Sequence, residues 1–131
     1  MTVAITPEHN HARLSATLAF LDCGSSPARL RIYAGTRPQS PEMPAASEML
    51  VEIRLTKPAG VISEGLLTLT QQENGLIVAS GIASWARLVN GNEVCAMDMD
   101  CSESDASGDI KLASLSLYLG GDTRMVSAIL T

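Results

Sequence analysis

From Ala28 onward the chain is broken about every ten residues by glycine, proline or an Asn-Gly pair, and the segments between the breaks alternate apolar and polar side chains. No other feature constrains the fold as strongly. Successive side chains on a strand point to opposite faces, so an alternating segment buries one face and wets the other. "ARLRIY" places Leu30 and Ile32 on one face and Arg29, Arg31 and Tyr33 on the other. "MLVEIRL" sets Leu50, Glu52 and Arg54 against Val51, Ile53 and Leu55. "LLTLT", the long run "LIVASGIASWARLV", "EVCAMDMD", "DIKLASLSLYL" and "TRMVSAILT" follow, with Gly81 marking a bulge or bend. Asn90-Gly91 reads as a hairpin with a type I′ turn, because these two residues accept positive φ. Roughly seven or eight strands and no alternating βαβ pattern predict a mainly all-β fold, an antiparallel β-sandwich or jelly-roll-like small barrel.

One helix is expected before the strands, over "ITPEHNHARLSATLAFLDCGSSP". Thr6 is an N-cap, Pro7 suits the first helical position, and Glu8 faces the positive end of the helix dipole. Leu14, Leu18 and Leu21 form an apolar stripe flanked by Ala12 and Ala19, Gly24 can close the helix, and Pro27 forbids its continuation. Residues 1–27 therefore read as an arm and helix, and residues 28–131 as the β domain, together one compact unit. Two stretches read as irregular. "AGTRPQSPEMPAASE" holds three prolines and is a long loop, and "KPAGVISEG" is a second connection. A long loop in a small domain is commonly functional.

Composition narrows the classes of function. The net charge is −5 and the pI about 4.9, and the basic residues are dispersed, so the chain lacks the attraction that dominates nucleic-acid affinity. Arg29, Arg31 and Arg37 come nearest to a cluster and read as a solvated strand face. Three cysteines without a secretory signal fit a reducing cytoplasm rather than a disulfide framework. No apolar run approaches the length of about 20 residues that a membrane span needs.

The candidate chemistry is thin. In "MDMDCSESDASGD", Asp98, Asp100, Ser102 and Ser104 alternate and Asp109 takes the twelfth place of a calcium loop. Yet Glu103 stands where such a loop needs Gly, the closing residue is Asp, and no helices flank the segment. Asp98 and Asp100 read instead as the solvated face of a strand, opposite Met97 and Met99. His9 and His11 lie two apart on a helix and cannot share a metal. Cys95 and Cys101 lack a CxxC partner or a histidine base, and no Ser-His-Asp set is in reach. Trp85 reads as a core or interface ring. No catalytic residue, metal or cofactor is expected.

Two stretches carry a resemblance. "LRIYAGTRP" and "ASGIASWARLVNGNEVCAMDMD" are similar to RIYxGxxP and GxATWxRI segments of a family of small proteins encoded among the structural genes of tailed bacteriophages and prophages. "GDIKLASLSLYLGGDTRMVSAIL" resembles the family's DIxLxxxxIxxGxxVxI ending, so the likeness runs from about Ala28 to Leu130. Ala34 stands where the family often has Asp, and "MDMDCSES" replaces a Gly-containing return strand. The resemblance implies a virion component assembled in the bacterial host cytoplasm, first of all a capsid decoration (cement) protein. Its implied partners are the major capsid protein and further copies of itself, most commonly as a trimer, with no nucleic acid or membrane. A neck or tail component is the alternative. A receptor- or carbohydrate-binding module is another, which the 3% aromatic content opposes. The expected contacts are the N-terminal segment Thr2, Val3, Ala4 and Ile5, and the proline-rich loop through Thr36, Arg37, Pro38, Pro41, Met43 and Pro44. Prolines lower the cost of ordering such a loop.

Overall fold

The computed structural model describes residues 4–103 and 110–130. The helix begins as its sequence predicts. Thr6 Oγ1 accepts from the backbone N–H of His9 at 3.1 Å, and Pro7 opens α1 (Pro7–Leu21). Leu14 and Leu21 are buried and Leu18 is half-buried, whereas Ala12 and Ala19 are exposed, so the packed face is a narrow line of leucines. Asp22 rather than Gly24 caps the helix, and Gly24 takes φ +98° in the turn beyond it.

The strands in chain order are β1 (Arg29–Tyr33), β2 (Met49–Ser63), β3 (Leu66–Gln71), β4 (Gly75–Leu76), β5 (Gly81–Ile82), β6 (Trp85–Val89), β7 (Cys95–Glu103), β8 (Ile110–Leu112), β9 (Ser116–Leu117), β10 (Asp122–Thr123) and β11 (Met125–Leu130). Seven of them close into a barrel in the order β1-β2-β3-β11-β8-β7-β6. Its wall pairs are antiparallel except β7 and β8, which run parallel. The fold is thus all-β with one N-terminal helix, and of the two expected architectures it is the small barrel. Among the described residues, closure leaves no free edge in the wall. Leu30, Ile32, Val51, Ile53, Leu55, Ala86, Leu88, Met99, Ile110, Leu112 and Ala128 fill the interior as one cluster, which Leu14 and Leu21 of α1 join. Each large side chain so buried contributes about 1.5–3 kcal/mol of transfer free energy.

Three local expectations are corrected. "KPAGVIS" is not a connection: β2 continues through it to Ser63. Leu55 pairs with Gln71 and Gly60 with Leu69, so the extra residues bulge out of the ladder around the cis Lys57–Pro58 bond. Pro58 has no N–H to donate and is tolerated in such a bulge. Thr56 Oγ1 closes the bulge by donating to Pro58 O at 2.7 Å, and Ala59 N donates to Asp22 Oδ1 at 3.0 Å. Second, "LIVASGIASWARLV" is not one strand but is divided among the end of β4, β5 and β6.

Third, the Asn90-Gly91 hairpin forms, but neither residue has positive φ. Glu93 takes that conformation instead, at φ 65°. Asn90 N donates to Val94 O and Glu93 N to Asn90 O, the bonds of a three-residue loop ending in a left-handed residue. The helix dictates this choice. Gly91 N donates to Cys23 O at 3.0 Å, and a Cβ at Gly91 would stand 2.0 Å from Ser26 O. Gly91 is therefore there for close approach. The Asn90 side chain donates to Phe20 O and accepts from Asn92 N and Val94 N, and Lys57 Nζ donates to Gly24 O. Carbonyls left free at the end of α1 are satisfied by the hairpin tip and the β2 bulge.

These contacts give the barrel two unlike ends. The start of β1, the far half of β2, the β6–β7 hairpin tip and the end of β11 meet at α1, which covers that end. The end of β1, the start of β2, the start of β6 and the start of β11 meet at the other.

Candidate functional site

The far end from the helix carries the irregular segments. The proline-rich loop leaves β1 and returns to β2 without regular structure. Its neck is tied by Ala34 N donating to Glu48 O and Ser47 Oγ donating to Thr36 O, both at 3.4 Å, and its tip by Met43 N donating to Ser40 O at 3.0 Å. Thr36, Arg37, Pro41, Met43 and Pro44 are exposed and Pro38 half-buried. Ala4 and Ile5 are exposed beside the start of α1, where Ile5, Asn10, Arg13, Glu64 and Gly65 line a shallow hollow. The loop and the N-terminal segment therefore lie at opposite ends of β2 and do not make one site. Thr2 and Val3 lie outside the described residues.

Between the two ends, the outer wall is cross-linked by charge. Arg29 and Arg31 of β1 hold Glu52 of β2 and Glu93 of the hairpin. Arg31 Nε lies 2.7 Å from Glu52 and Arg29 Nη2 2.7 Å from Glu93. On the neighbouring strands Arg87 grips Asp98 with two bonds of 2.8 and 3.0 Å. Arg31 stands opposite Arg87 in the register, so each cation is neutralised by a carboxylate on its other side. Arg29 and Arg31 are thus an ion-paired grid rather than a solvated basic face. The hydrogen bond from Arg31 holds the Glu93 carboxyl below its ordinary range.

Trp85 belongs to the same outer face. Its ring stacks on Tyr33, centroids 4.4 Å apart and planes 12° off parallel, with the Arg87 guanidinium 5.3 Å from its centroid. The ring is fully buried, and Nε1 has no hydrogen-bond acceptor among the described residues. Asp100 lies directly across from Trp85 and Asp98 across from Arg87. The two aspartates therefore share a face with the ring, but only Asp100 faces water: its side chain is 67% exposed, against 4% for Asp98. Arg37 from the loop reaches Asp100 at 3.3 Å and ties the loop to this wall. Both carboxylates are engaged by arginines, and Ser104 and Asp109 of the calcium reading lie outside the described residues. Among the described residues no three His, Cys, Asp or Glu converge as metal ligands, and His9 and His11 are exposed. Burial pushes the Cys101 thiol up to about 12, with the Asp100 charge adding to the shift, and burial also raises Cys95. Neither is activated as a thiolate.

The most exposed apolar surface was not among the expected contacts. Residues 75–82 run antiparallel to residues 116–123 through the pairs β4–β10 and β5–β9. Ile77 N donates to Gly121 O and Leu119 N to Ser80 Oγ. The inner side of this flap buries Ile77 and Leu117 against the core. Outside, Leu76 is 64% exposed, Val78 51%, Ile82 67%, Tyr118 72% and Leu119 67%, the last two on the turn closed by Gly121 N donating to Tyr118 O. A signal was present: residues 74–86 and 112–121 contain no charged side chain.

Comparisons with protein-family models, with curated proteins and with solved structures each returned no match. No helix among the described residues is long and apolar enough to cross a membrane.

Proposed function

We propose that this chain is a structural component of a tailed-phage virion, a capsid decoration protein that binds the outer shell and braces it. The observation that carries the reading is the contrast between wall and end. The wall is closed and ion-paired, while one end of the barrel extends a proline-rich loop beside a flap with exposed apolar side chains. A brace needs contact area on a rigid body, and a loop tethered at its neck and tip loses little entropy on docking. The family-like motifs between Ala28 and Leu130 support the same reading, since their glycines, prolines and apolar residues build this barrel and its turns. In this account the loop Thr36–Pro44 meets the major capsid protein. Deleting Gln39 to Pro44 should weaken cosedimentation with capsids lacking the protein, while the far-ultraviolet dichroism and melting transition stay those of a folded barrel. Undiminished particle binding by the folded deletion variant would remove the loop from the contact.

A further inference from the structure

We infer that residues 34–38 form a strap across the ring of Trp85, latched by the Arg37–Asp100 ion pair and swinging aside when that pair is broken. Three observations lead there. The first is position. Tyr33, Trp85 and Asp100 stand in one row across β1, β6 and β7, with Trp85 in the middle. Neighbouring strands lie about 4.8 Å apart, so Asp100 is roughly 10 Å from the point where the chain leaves β1. Arg37 comes soon after Tyr33 in the chain, yet it meets Asp100 at 3.3 Å on the outer face. The segment and its arginine therefore cross β6 at Trp85. That ring is fully buried on the outer side of the wall, where Tyr33 stacks on it and the crossing segment closes over it.

The second is the weakness of the latch. The Arg37 and Asp100 side chains are 44% and 67% exposed, so water and salt screen their attraction. The two neck bonds behind them, from Ala34 N to Glu48 O and from Ser47 Oγ to Thr36 O, are long at 3.4 Å. The Arg87–Asp98 pair of the wall beside the ring is buried and doubly bonded, so it holds where the latch gives way.

The third is construction. Gly35 lies between Tyr33 and Arg37 at φ +80°, a conformation glycine adopts freely, and it supplies a hinge where the strap leaves the barrel. The loop tip is bonded within itself, Met43 N and Glu42 N both donating to Ser40, so the tip moves as a unit. The Trp85 indole N–H is buried without an acceptor among the described residues. A closed strap keeps this donor from water, and opening removes that desolvation cost.

This inference concerns the isolated chain and does not rest on the virion assignment. Trp85 is the only tryptophan, so its fluorescence reports the strap alone. Acrylamide, a neutral quencher, should reach the ring slowly at about 20 mM sodium chloride, where the latch is little screened. At about 1 M the quenching constant should rise roughly two- to fivefold, the range that a surface ion pair can supply. Arg37→Gln and Asp100→Asn should each show the higher value already at low salt, with no further rise. The exchanged pair, Arg37→Asp with Asp100→Arg, should restore protection. Arg13→Gln, at an exposed position on α1 at the opposite end, should behave as the wild type. Far-ultraviolet dichroism should show every variant folded at both salt concentrations. A wild-type quenching constant that does not change with salt would overturn the inference. So would folded Arg37→Gln and Asp100→Asn variants as well protected at low salt as the wild type.

Discussion

Arg87 and Asp98 show how much a single residue pair can hold at this barrel's wall. Both side chains are almost excluded from water, 9% and 4% exposed, and each satisfies the other through two bonds. Removing one partner leaves the other charge buried and unpaired, which typically costs about 3–5 kcal/mol. Asp98→Ala should therefore lower stability by about 3 kcal/mol or more in chemical denaturation, and a loss below about 1 kcal/mol would show the pair to be solvated. Glu93 is a different case, half exposed and strained at φ 65° but held by Arg29 and Arg31. Its folded pKa lies below its unfolded value, so the pairing contributes fully above the ordinary glutamate range near 4.5 and is lost as pH falls through the folded value. In Glu93→Gln the fall in melting temperature between about pH 5 and about pH 3 should be shallower than in the wild type. Equal acid limbs would show that this carboxylate is unshifted.

At the scale of elements, the helix end depends on one close approach. The hairpin tip meets the turn after α1 backbone to backbone, and Gly91 is the contact. Gly91→Ala would drive a methyl group into Ser26 O. It should cost about 1–3 kcal/mol, although the glycine's φ is not positive. A neutral effect on the urea midpoint would mean that the turn retreats freely. This junction also marks the limit of what sequence could reveal. The cap at Thr6, the alternation in β1 and the leucine line of α1 were legible because each is set by residues close in sequence. The turn geometry at Asn90 and the bulge around Pro58 were not. Both are decided by partners far along the chain, Cys23 and Ser26 for the first and Asp22 for the second. Asp98 was misread for the same reason. Alternation placed it on the outer face correctly, but its burial comes from Arg87 on the neighbouring strand.

For the whole molecule, the barrel divides its work between its ends. One is closed by α1 and its hydrogen-bonded junction, and the other presents a tethered loop and an apolar flap. The loop was visible in the sequence through its prolines. The flap shows in the sequence only as two uncharged stretches, and the fold decides that Ile77 and Leu117 turn inward while Leu76, Val78 and Ile82 stay outside. The central claim is that this protein belongs to the shell of a particle. Quantitative mass spectrometry of purified virus tests it most directly, by counting this chain against the major capsid protein. A fixed ratio within a few-fold of one to one is the result the account predicts. A handful of copies per particle, or none, would contradict it.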